Sequence, residues 1–118
     1  MKKILALAVL AISPLLASAA GTGDVCDGTT AKKVAITAGT GEFIKRDFNA
    51  QCSANVGLSY AQSATVIAVA SASAKGKTYF SGSSEGGAVT KDGTTDCPNS
   101  GCVITDLPGK AAAKLSAS

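Results

Sequence analysis

Apolar and polar residues alternate in short runs along this chain, and glycine, proline and small polar residues break the runs. In "NVGLSYAQ" (55–62), Val56, Leu58 and Tyr60 fall on one side and Gly57 and Ser59 on the other, the period of two that a pleated strand imposes. "KVAITA" (33–38) is short, β-branched and alternating. "TVIAVASASA" (65–74) is the longest extended run, and Lys75-Gly76-Lys77 turns it into "TYFSGS" (78–83), which predicts a hairpin. "GGAVT" (86–90) and "CVITDL" (102–107) read as two further strands, the last ended by Pro108-Gly109. "EFIKRDF" (42–48) fits either period, and its length favours a strand. The tail "KAAAKLSAS" reads as a short helix or a frayed end. Turn signals about every 8–12 residues then predict an all-β fold, a small antiparallel β-sandwich or barrel of about six or seven short strands.

Within the long run, Ala68, Ala70, Ala72 and Ala74 share one face, while Val69, Ser71 and Ser73 share the other. Faces this small let another sheet or chain approach closely, and they specify register weakly. The bland reading is an edge hairpin guarded by Lys75 and Lys77. The sharper expectation is an assembly surface formed by Ala68, Ala70, Ala72, Ala74, Ser71 and Ser73.

The first twenty residues change what the composition means. Lys2 and Lys3, the short apolar run "ILALAVLAI" and Ala17-Ser18-Ala19 form the three parts of a secretory signal peptide, expected at 1–20. The run is shorter than the roughly 20 residues of a spanning helix, so no membrane span is expected after cleavage. Residues 21–118 are then one β domain, with a loose Gly-, Thr- and Asp-rich N-terminal arm and a short C-terminal tail. Two of the eleven basic residues leave with the leader, and nine remain against eight acids, a net charge of about +1. No basic run exceeds two residues, so nucleic acid is not an expected partner.

From Gly21 onward only 19 side chains are Val, Ile, Leu, Phe or Tyr, whereas Ala, Gly, Ser and Thr make up 51 of 98 residues. That core is thin for the chain entropy it must offset. The four cysteines supply the missing restraint. An even number in an exported chain predicts two disulfides, and four cysteines allow three pairings. Pro98-Asn99-Ser100-Gly101 forms a turn between Cys97 and Cys102, so Cys97–Cys102 is expected as a local clip and Cys26–Cys52 as the longer staple. Only the 97/102 pair approaches zinc-ligand spacing and the chain has no histidine, so no metal site is expected.

Candidate chemistry is sparse. "AGTGEF" (38–43) lacks the third glycine and the βαβ context of a dinucleotide loop, so no cofactor is expected. "KDGTTD" (91–96) offers two carboxylates, short of the six to eight oxygens that calcium takes, and reads as a turn. Without histidine, Ser-His and Cys-His nucleophile pairs are impossible, which points to a non-enzyme. The expectation is a secreted structural subunit (periplasmic, cell-surface or extracellular) that self-associates, for example into a fibre or matrix. The alternative is a monomeric binding module, such as an inhibitor presenting the 97–102 loop.

Overall fold

The computed structural model describes residues 21–86, 88–93 and 96–117, and the expected signal peptide lies outside them. The fold is mostly β. Strands β1 (Gly21–Asp27), β2 (Lys32–Ile36), β3 (Phe48–Cys52), β4 (Val56–Gln62), β5 (Ile67–Ser73), β6 (Tyr79–Ser83) and β7 (Thr90–Lys91) are followed by one helix, α1 (Leu107–Ser116). Five strands form an antiparallel sheet in the order β1-β4-β5-β6-β7, and β2 and β3 form a separate antiparallel hairpin. Disulfides join Cys26 to Cys52 and Cys97 to Cys102.

The central hairpin is the one the alternation predicts: Ala70 pairs with Ser81 and Ala72 with Tyr79. Pairing fixes which residues share a face. Gly57, Ser59 and Ala61 of β4 stand beside Ala72, Ala70 and Ala68 of β5, and α1 lies across β4, β5 and β6 on that side. Ala68 and Ala70 are 0% exposed and Ala72 is 4% exposed. The alanine row is therefore interior to the single chain, covered by its own helix and not open to a neighbour. Ala74 lies just past the strand end, where its N–H donates to the Asn55 carbonyl at 2.6 Å. Ser71 and Ser73 face the opposite side, half-buried.

Small residues are the condition for this packing. A Cβ on Gly57 would sit 2.5 Å from Ile104 Cγ2 and 2.7 Å from Leu107 Cδ1, so the helix rests on the strand backbone. The most buried sheet face is thus the small one, and the larger Leu58 and Tyr60 lie half-buried on the other side.

Of the strand expected over 86–90 only Thr90 is in one, the two-residue β7, and Gly86, Ala88 and Val89 lie outside it; three further segments depart from the sequence reading. Residues 102–107 are not a strand: a 3-10 turn spans Ile104–Asp106 and leads directly into α1. The Val103 N–H donates to the Tyr79 hydroxyl at 3.0 Å, so a side chain replaces a ladder partner. Pro108 stands in the first helical turn, where a missing N–H costs nothing, and Lys110–Leu115 are good helix formers. Second, the N-terminal arm is not loose. Residues 21–27 pair with β4 despite their composition, with a bulge at Val25. The Tyr60 ring lies over Gly23, where a Cβ would sit 2.4 Å from its Cε1. Third, residues 42–47 are irregular, and β3 begins only at Phe48.

Candidate functional site

The hairpin β2–β3 and the segment before β3 cover the β1–β4–β5 part of the sheet, on the side opposite the helix. Ile36 and Phe48 are register partners, as are Val34 and Ala50, so both strands present an apolar face. The sheet answers with Leu58 and Tyr60 from β4, Ile67 and Val69 from β5, and Val25 from the β1 bulge. The layers do not close completely. Between them lies a cleft of about 90 Å³ with a wholly apolar lining, to which Ile36, Ile44, Phe48 and Ala50 contribute from the hairpin side.

The walls are anchored by polar groups behind them. The Ile44 N–H donates to Gln62 Oε1 at 3.0 Å, and Gln62 Nε2 donates to Glu42 Oε2 at 2.9 Å, which satisfies a glutamine that is otherwise fully buried. The Ala38 N–H donates to Asp47 Oδ1 at 2.7 Å. The Cys26–Cys52 disulfide bonds the end of β3 to β1. Glu42 and Asp47 are thus both turned to the chain's own donors, whereas Lys45 and Arg46 between them are exposed. Among the described residues neither has an ion-pair partner.

Beyond the hairpin the same sheet face is open. Phe48 is 51% exposed at the cleft, Phe80 43% and Val89 60%. A shallow hollow of about 150 Å³ shares Ile67 and Val69 with the cleft and continues over Gly82 to Val89.

The 97–102 loop lies elsewhere, against the β5–β6 turn. The Cys97 N–H donates to the Lys77 carbonyl at 2.8 Å, and Gly101 packs on the Ala74 carbonyl with φ +116, leaving Pro98, Asn99 and Ser100 exposed. The "KDGTTD" loop is tied to the helix side. Asp92 accepts from Ser81 Oγ and from Lys110 Nζ, both at 2.9 Å, and Lys110 also stands 4.3 Å above the Tyr79 ring. Thr94 and Thr95 lie outside the described residues. No cluster of three or more Cys, Asp or Glu with metal-binding geometry occurs among the described residues, and no helix there is long and apolar enough to cross a membrane.

Burial, the largest influence on Asp92, raises its pKa. Lys110 and Ser81, with the charge of Lys114, outweigh it and hold the carboxyl below its ordinary value. A depressed folded-state pKa stabilises above the unfolded value near 4, and that stabilisation disappears as pH falls through the folded value. Asp92→Asn is therefore expected to lower stability at pH 7. It should also reduce the further loss between about pH 5 and pH 2, which urea unfolding of variant and parent would read. Asp27, on the surface, is held well below its ordinary value by Lys32 and by hydrogen bonds from Thr29, and adds to the same acid limb in both proteins.

The residues of the cleft were missed as a site because their signal is spread over five segments and each piece reads as ordinary core. Only "FIKRDF" (43–48), two phenylalanines around a Lys-Arg pair, is locally unusual. No protein-family model, no curated protein and no solved structure matches this chain.

Proposed function

We propose that the protein is a secreted, non-catalytic binding module that holds an apolar group in the cleft between the β2–β3 hairpin and the sheet. The carrying observation is the cleft's lining, nine apolar side chains with no polar surface, left unfilled in a domain with little core to spare. Binding pockets are concave and predominantly apolar, and this cleft has that shape and lining on a smaller scale, about 90 Å³. The two disulfides suit an oxidising compartment.

Titration with the neutral fluorophore N-phenylnaphthylamine tests this reading. A saturable, one-to-one fluorescence gain on a monodisperse protein is expected. Absence of saturable binding, together with concentration-dependent growth in size, would put the structural-subunit reading first. That second reading has its own observation: the open sheet face with Phe80 and Val89 exposed, where self-association would use Val69, Ser71 and Ser73 in place of the alanine row.

A further inference from the structure

We propose that Asp27-Gly28 is a latent modification site, where the chain converts aspartate to isoaspartate when the Lys32 ammonium leaves the Asp27 carboxylate. The tetrapeptide Asp-Gly-Thr-Thr occurs twice, at 27–30 and at 92–95. Both glycines have positive φ, +77 at Gly28 and +75 at Gly93, and neither has a side chain to shield its nitrogen. An aspartate before glycine is the pairing in which the next amide nitrogen most readily reaches the side-chain carbon. The Gly28 nitrogen attacks Asp27 Cγ, and a five-membered succinimide closes. The amide proton and the carboxyl hydroxyl leave together as water. Solvent water then reopens the ring at either carbonyl. Opening at the main-chain carbonyl routes the backbone through the former side chain, with no change in mass.

Both turns carry a lock against this reaction. Ring closure expels hydroxide far more readily from a neutral carboxyl than oxide from an ionised one. Asp27 Oδ1 accepts from the Thr29 N–H at 3.0 Å and from the Thr29 hydroxyl at 2.6 Å, and Oδ2 accepts from Lys32 Nζ at 2.5 Å. At Asp92 the partners are Ser81 Oγ on Oδ1 and Lys110 Nζ on Oδ2. Each carboxylate thus has one oxygen held by a hydroxyl and the other by a lysine, bonds that favour the ionised form. The locks differ in strength. The Asp92–Lys110 pair is half-buried, and the Asp92 N–H donates to the Tyr79 carbonyl at 2.8 Å. The Asp27–Lys32 pair is open to water and salt, so Asp27 is the site that yields first. Its conversion matters to the fold. A Cβ on Gly28 would lie 2.6 Å from Ile104 Cγ1, in the turn that leads into α1, and Asp27 ends β1 as the register partner of Gly57. An added main-chain carbon pushes Gly28 toward Ile104 and unseats the last pair of the strand.

Prolonged warm incubation of the oxidised full protein at mildly acidic pH tests this, with isoaspartate located in its peptides by electron-transfer fragmentation. The folded parent is expected to convert Asp27 several-fold more slowly than the same chain unfolded in urea, and Asp92 more slowly still. Lys32→Gln should speed conversion of Asp27 several-fold and leave Asp92 at the parent's rate. Thr29→Val, which removes one hydroxyl donor, should act in the same direction. Added salt should speed Asp27 in the parent more than in Lys32→Gln, where the pair is already gone. Lys32→Arg keeps the cation and should keep the parent's rate. If Lys32→Gln and Lys32→Arg convert alike, or the folded parent converts Asp27 as fast as the unfolded chain, the lock is overturned. A rise at both aspartates in Lys32→Gln would assign the effect to unfolding and overturn it equally. Faster conversion of Asp92 than of Asp27 in the folded parent would overturn the choice of site.

Discussion

Replacing Cys26 and Cys52 together by alanine is expected to lower the melting temperature by roughly 15–25 °C. The bond closes a segment of 26 residues, and loop-closure entropy assigns it roughly 3.5 kcal/mol. At the 4–8 °C per kcal/mol typical of a domain this size, that gives the stated shift. Packing points the same way. The staple joins β1 to the end of β3, and Cys26 and Cys52 belong to the cluster that also contains Val25, Ile36 and Ile44. Without it, the hairpin is held to the sheet by that small apolar cluster and a few hydrogen bonds. The Cys97–Cys102 clip spans only five positions, worth roughly 2 kcal/mol on the same reasoning. Its double-alanine variant should lose about half as much. Differential scanning calorimetry on the two double variants and the parent reads the difference. Equal losses, or a larger one for the clip, would show that the hairpin stays seated without its covalent tether.

The staple also bears on the cleft. If hairpin and sheet separate when it is lost, apolar-probe binding and thermal stability should fall together in the 26/52 variant. In the 97/102 variant, binding should survive at temperatures below its melting point, since neither cysteine lines the cleft. The comparison separates a cleft built by the hairpin from probe adsorption on Phe80 and Val89.

Where the pattern was strong, sequence and structure agree. β4, β5 and β6 lie within a residue or two of the alternating runs that predict them, because strict period-two alternation leaves a strand few other ways to bury one face. Three kinds of information lay outside that pattern. Gly21–Asp27 becomes a strand through tertiary pairing and the cover that Tyr60 gives Gly23, neither of which local propensity records. Val103 and Ile104 look like strand residues but lead into a helix, because Pro108 and the Lys-Ala run after it favour helix more strongly. The third concerns burial. Alternation shows that a strand has two faces and does not say which is deeper. Size suggests that Leu58 and Tyr60 point to the centre, but a helix packed directly on backbone requires the opposite, and Gly57, Ser59, Ala61 and the alanine row take the deepest positions. The cleft was less legible still, since it is defined by how the hairpin sits on the sheet and no stretch of sequence encodes that spacing.

Ala70→Leu and Leu107→Ala are expected to destabilise the single chain from the two sides of one contact. Leu107 is fully buried against the alanine row, and removing a buried leucine side chain typically costs about 2–5 kcal/mol, depending on how far the site can collapse. Collapse is limited here. The sheet below is already reduced to alanine, serine and glycine, and α1 is fixed at its start by the Tyr79 contacts to Val103 and Asp106. Ala70→Leu does the reverse, forcing extra carbons into an interface with no free space, at about 1–3 kcal/mol. Ser71→Thr is the control. It lies one residue on, pointing to the open face beside Phe80, keeps its hydroxyl and favours an extended backbone, so it should stay within about 0.5 kcal/mol of the parent. Urea unfolding should show both destabilised variants with midpoints shifted down at similar slope, with sizing unchanged at any concentration where the protein remains folded. If Ala70→Leu kept the parent's midpoint but altered its oligomeric state, the alanine row would be a surface between chains after all, and α1 would have to leave it for assembly to occur.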